Sequence, residues 1–101
     1  MNFRSGDFTV GDVGVAIEAV AETTLSGTIQ FIFIKPSGKS LTKTATVSGV
    51  TATYIWQTGD LDEDGDWRPF VRNASTGYWY RENGAIFNVR PTPEVMARSE
   101  T

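Results

Sequence analysis

Short runs of alternating apolar and polar residues, turn signals recurring about every eight to twelve residues, and the absence of a persuasive amphipathic helix predict the fold class. It is an all-β protein, an immunoglobulin-like antiparallel β-sandwich of about seven strands. The chain has 101 residues, 40% hydrophobic, with six Phe, three Tyr and three Trp. That suffices for one core, and neither half alone could bury enough to offset its chain entropy. The expected organisation is an N-terminal arm over residues 1–7, a sandwich over 8–90 and a flexible C-terminal tail over 91–101.

The arm is polar apart from Phe3, which is expected to pack onto a neighbouring protein. Phe8-Thr9-Val10 makes a first short strand, broken by Gly11-Asp12-Val13-Gly14. Val15, Ile17 and Ala19 then alternate with Ala16, Glu18 and Val20, and a period of two beside glycines favours strand over helix. Leu25-Ser26-Gly27 turns the chain into its strongest strand, residues 28–35, with Ile29, Phe31 and Phe33 on one face and Gln30, Ile32 and Ile34 on the other. A strand apolar on both faces is either covered twice or carries an outer contact patch, and in a two-layer sandwich the second reading marks Ile32 and Ile34 for a partner.

Pro36-Ser37-Gly38-Lys39 has the chemistry of a tight turn: Pro presets φ and Gly accepts positive φ. It predicts a hairpin with a single Thr-rich strand over residues 41–47. Ser48-Gly49 turns again into residues 50–57, with Val50, Ala52, Tyr54 and Trp56 on one face. After an acidic stretch, Trp67, Pro69 and Val71 point one way and Arg68, Phe70 and Arg72 the other. Pro69 has no N–H for a ladder, so an edge or a bulge is expected there. Residues 73–77 form a loop, Tyr78-Trp79-Tyr80-Arg81 a strand, Glu82-Asn83-Gly84 a turn, and residues 85–89 a last strand with Phe87 and Val89 inward. Pro91 and Pro93 end it.

Charge excludes several kinds of work. Lys and Arg are scattered singly along the chain rather than gathered on one segment, which argues against direct nucleic-acid binding. There is no Cys, hence no disulfide framework and no thiolate metal site, in keeping with folding in a reducing cytoplasm. No apolar run has the length of a signal peptide or a membrane span, so no membrane association is expected. Without His or Cys, the Ser-His and Cys-His nucleophile arrangements are impossible, and no glycine-rich phosphate loop opens a helix.

Five of the twelve carboxylates, Asp60, Asp62, Glu63, Asp64 and Asp66, crowd one corner. Asp60, Asp62, Asp64 and Gly65 match the opening of a helix-loop-helix calcium site. The twelfth position is Val71, where that site needs a bidentate Glu, and the flanking helices are missing. The expectation is no metal, no cofactor and no catalytic carboxylate pair, since acids on one exposed turn ionise alike. In a sandwich this stretch instead carries the chain between sheets: Gly65 stands two residues before a buried Trp67, Leu61 drops into the core, and most carboxylates stay in water.

Tyr78-Trp79-Tyr80 cannot all face one core, because strand neighbours alternate. Either Trp79 is buried with Tyr78 and Tyr80 outside, or the reverse. In both cases exposed aromatics at one end of the sandwich suit a protein interface or stacking on a sugar. Asn73-Ala74-Ser75 formally matches a glycosylation acceptor, which without a signal peptide is read as chance.

Gly11-Asp12-Val13-Gly14 with Ile17, then Phe33-Ile34-Lys35-Pro36-Ser37-Gly38-Lys39, then Tyr54 with Gly59-Asp60-Leu61-Asp62 and Gly65-x-Trp67, and finally Phe87-Asn88-Val89 occur in that order. Together they resemble small immunoglobulin-like virion proteins of tailed bacteriophages, similar to the N-terminal domain of phage baseplate upper proteins. The resemblance covers about residues 8–90 and departs from the pattern at Pro69 and at Tyr78 to Tyr80. It implies a non-enzymatic structural protein made in the host cytoplasm and located in the virion, in the tail, baseplate or fibre-attachment region. Its partners would be other virion proteins, with several copies in the particle and a homo-oligomer among the options. Head decoration, or a carbohydrate-binding or adhesion module, are the alternatives. The expected partner-binding residues are Phe3, Ile32, Ile34, Tyr78, Trp79 and Tyr80.

Overall fold

The computed structural model describes residues 2–4, 8–80 and 85–91. The predicted turn over residues 82–84 and most of the predicted tail lie outside the described residues. Among the described residues ten short strands follow one another: β1 (Asn2–Arg4), β2 (Phe8–Thr9), β3 (Ala16–Val20), β4 (Ile29–Ile34), β5 (Ser40–Thr44), β6 (Thr46–Ser48), β7 (Thr51–Ile55), β8 (Gly65–Asn73), β9 (Tyr78–Tyr80) and β10 (Phe87–Arg90). They form two sheets in a sandwich-like arrangement. One is four-stranded and antiparallel, in the order β1-β3-β7-β6. The other is a six-stranded mixed half-barrel, in the order β2-β10-β8-β4-β5 with β9 also pairing β8. No helix among the described residues is long and apolar enough to cross a membrane.

The period-two pattern sets the core. Ile17, Ala19, Ala52, Tyr54 and Trp56 come from the four-stranded side, and Ile29, Phe31, Phe33, Trp67, Val71, Phe87 and Val89 from the other; all are buried. Trp56 stands at the centre, its ring within 4.7 Å of Phe33, 5.5 Å of Phe8 and 5.8 Å of Phe87, centroid to centroid. Leu61 drops beneath the acidic corner as its spacing predicts.

Three expectations change. The sheet is mixed, because β2 runs parallel to β10 (Val89↔Phe8, Arg90↔Thr9) after the chain has crossed from the β1 edge of the opposite sheet. The single strand expected over residues 41–47 divides at Ala45: β5 pairs β4, the Ala45 N–H donates to the Ile29 carbonyl at 2.8 Å, and β6 then joins β7 in the other sheet. Pro69 lies in the central strand β8, opposite Phe33 of β4, and not on an edge. On the other side of β8, β10 pairs residues 65–67 and β9 pairs residues 71–73. Pro69 falls between the two, where its missing N–H breaks no described ladder.

At the acidic corner Asp62, Asp64 and Asp66 stay exposed as expected, but the corner also binds its neighbours. Glu63 accepts both the backbone N–H (3.1 Å) and the hydroxyl (2.9 Å) of Ser37 at the tip of the β4–β5 hairpin. Asp62 accepts from the Lys35 ammonium at 2.8 Å, and Asp66 from the Asn88 amide at 3.1 Å. Gly65 has φ +121°, and a Cβ there would sit 3.0 Å from Pro36 Cγ, so the two turns touch closely enough to require glycine. The corner therefore grips the neighbouring hairpin.

Candidate functional site

The aromatic strand β9 is presented by a tightly held turn. Asn73, at the end of β8, is 7% exposed; its side-chain carbonyl accepts the N–H groups of Ser75 (3.0 Å) and Thr76 (3.3 Å), and its amide donates to the Ser26 carbonyl at 2.9 Å. The Ala74 N–H reaches the Thr28 carbonyl at 2.7 Å and Ser75 Oγ accepts from the Thr28 N–H at 3.1 Å. Gly77, at φ +78°, returns the chain into β9. The glycosylation-like triplet is thus a structural knot, with its Asn side chain fully engaged.

Register then sends the three aromatics to two surfaces, with Val71↔Tyr80, Arg72↔Trp79 and Asn73↔Tyr78. The second alternative holds in direction, with Trp79 outward, but of the two tyrosines only Tyr80 is partly buried. Trp79 is 50% exposed and Tyr78 57% exposed, while Tyr80 is half-buried against the core. The alternation is as expected, but Tyr78 stays exposed on the inner side.

Trp79 lies on the outer face of the six-stranded sheet. The Arg72 guanidinium sits 5.3 Å from its ring centroid and donates to Gln30 Oε1 at 2.7 Å, in a cross-strand row that runs from β9 through β8 to β4. The adjoining rows pair Phe70 with Ile32 and Arg68 with Ile34. The expected Ile32/Ile34 patch is therefore part of a larger face, and its emphasis shifts: Ile32, flanked by Phe70 and Thr42, is only 9% exposed. Its accessible components are Trp79, Phe70, Ile34 and the two arginines. Trp and Arg are the side chains most enriched at the energetic centres of interfaces.

Tyr78 and Tyr80 belong to the inner side. Their rings meet edge to face, 5.0 Å apart at 84°, and with Ala21, Glu22, Thr23, Asn73, Thr76 and Gly77 they line a cleft of about 810 Å³ at one end of the sandwich.

Phe3 is engaged by its own protein. β1 pairs β3 (Phe3↔Ala19), and the Phe3 ring packs 6.4 Å from Phe31, because the four-stranded sheet would otherwise leave the core open at that edge. At the acidic corner the carboxylates turn to separate partners, and among the described residues no group of three or more His, Cys, Asp or Glu converges on a point that could hold a metal ion.

Arg72, Phe70 and Glu22 complete the two surfaces without having been singled out from sequence, and Asn73 was singled out only for its glycosylation-like triplet. The period-two pattern on β8 does place Phe70 and Arg72 outward; what it lacks is the neighbour that gives them a role. The fold and these surfaces define a two-sheet all-β module with one aromatic strand exposed on both sides. No known protein family, no curated protein and no solved structure matches the chain.

Proposed function

We propose that the chain is a non-enzymatic structural protein of a tailed bacteriophage virion, a docking module of the tail, baseplate or fibre-attachment region that binds other virion proteins. The observation that carries the docking reading is the outer face around Trp79: a half-exposed indole braced by Arg72 beside Phe70 and Ile34, on a rigid sheet. The virion reading rests on the ordered resemblance. In support of it, two of its segments, Phe33 to Lys39 and Gly59 to Trp67, meet in space through Lys35–Asp62 and Ser37–Glu63.

The finer fold reading is immunoglobulin-like. The order β1-β3-β7-β6 corresponds to A-B-E-D and β2-β10-β8-β4-β5 to A′-G-F-C-C′, with β9 as a detached first part of G. The corner between β7 and β8 adds support. Trp67 near the start of β8 donates its indole N–H to the Glu63 carbonyl at 3.0 Å, the role a tyrosine takes in the corner of such domains. Sugar stacking is the weaker alternative, because Trp79 and the tyrosines lie on opposite faces and Tyr78 and Tyr80 are nearly perpendicular, leaving no shared plane.

The test is mass spectrometry and immunogold labelling of purified particles from a phage whose genome encodes this chain. Peptides of the chain in particles, with label at the tail end, support the reading. Label over the head makes it a decoration protein using the same face. Particles without the chain overturn the virion reading.

A further inference from the structure

The cleft at the end of the sandwich has a chemistry different from that of the outer face. Glu22 is the one charged residue among its described lining. Its carboxylate is exposed and has no hydrogen bond or ion pair among the described residues. Two tyrosines line the same cleft, one of them more than half exposed. An aromatic ring attracts a cation through its face, and an unpaired carboxylate beside it adds direct charge attraction. Among the described residues no Lys or Arg lines the cleft to compete for that carboxylate.

Size decides what kind of cation. A cleft of about 810 Å³ is far larger than one ammonium or guanidinium group and has room for several residues' worth of atoms around it. Thr23, Thr76 and the tyrosine hydroxyls provide polar contacts around the opening. The walls are held in place on the β9 side by the Asn73 knot, so little order has to be gained on binding.

We infer that this cleft binds an extended segment of a partner protein, seating a basic side chain between Glu22 and the Tyr78–Tyr80 pair. The outer face has the opposite sign, with Arg72 over Trp79 and Arg68 further along the same strand. β9 thus separates a surface for a basic segment from one that repels it, and the two sides take different partners. The inference concerns a site distinct from the outer face and does not depend on the virion reading.

The experiment is an NMR titration of the isotope-labelled chain with a capped pentapeptide of serine and threonine around a central arginine, beside the same peptides with central norleucine or glutamate. Saturable shifts confined to residues 21–23 and 76–80 are expected for the arginine peptide. Glu22→Gln and Tyr78→Ala each weaken it by about threefold or more, whereas Trp79→Ala, on the other face, leaves it unchanged. Glu22 and Tyr78 are exposed, so both variants keep the dispersed spectrum of the folded chain. Equal binding of the glutamate peptide, shifts mapping elsewhere, or no shifts at millimolar peptide would each overturn the inference.

Discussion

Asp60 is the carboxylate of the acidic corner that the fold takes out of water, and three groups hold it. The Tyr54 hydroxyl and the Gln57 N–H (2.9 Å) both donate to Oδ2, and the Lys43 ammonium lies 3.5 Å from Oδ1. Burial pushes the Tyr54 phenol well above its usual value, and the hydrogen bond to Asp60 and its negative charge push the same way. The folded state therefore keeps the phenolic proton at a pH where the unfolded chain releases it. This contribution to stability is intact below about pH 10, the unfolded value, and is lost as pH rises toward the folded one. Urea unfolding from pH 8 to 11 should show that decline, and Tyr54→Phe should lack the Tyr54 share of it. At neutral pH the same variant should cost about 1–3 kcal/mol, because a buried carboxylate loses a donor. Asp62→Asn is the contrast: its bridge to Lys35 is half exposed, so urea unfolding should change by less than about 1 kcal/mol. Sequence showed the cluster of acids but not this division, since which carboxylate is buried depends on Lys43 and Tyr54 arriving from other strands.

The strands themselves were mostly legible, because period-two alternation survives into burial: the inward sets on β3, β4, β7, β8 and β10 are those the sequence marks. What escaped is pairing. Alternation in residues 41–47 continues unbroken through Ala45, so nothing local shows that the partner changes there from β4 to β7. Pro69 signals a missing N–H but not that β9 and β10 divide one flank of a central strand between them. The knot at Asn73 is equally non-local, reaching Ser26 across 47 positions. Asn73→Ala removes three hydrogen bonds at a buried site. It should destabilise the fold by about 2–3 kcal/mol in urea and speed amide exchange in residues 74–80, since each unmatched buried group costs about 1 kcal/mol or more.

For the whole molecule, the sequence marks the aromatic triplet as an expected contact element, and the alternation rule requires it to be split. The rule does not say what lies beside each ring. The Arg72 brace, the Phe70/Ile32 row and the Glu22 side of the cleft come from strands far apart in the chain, which is why Trp79 and the tyrosines read as one site until the register separates them. The outer face around Trp79 is proposed as a docking surface covered in an assembly. The three tryptophans make it directly measurable, because Trp56 and Trp67 are fully buried and Trp79 is half exposed. Hydroxyl-radical footprinting, read by mass spectrometry, should oxidise Trp79 in the free chain while sparing Trp56 and Trp67. In intact particles Trp79 should be protected by about tenfold, as expected for the desolvated centre of an interface. Oxidation of Trp79 at the same rate in intact particles as in the free chain would contradict the claim.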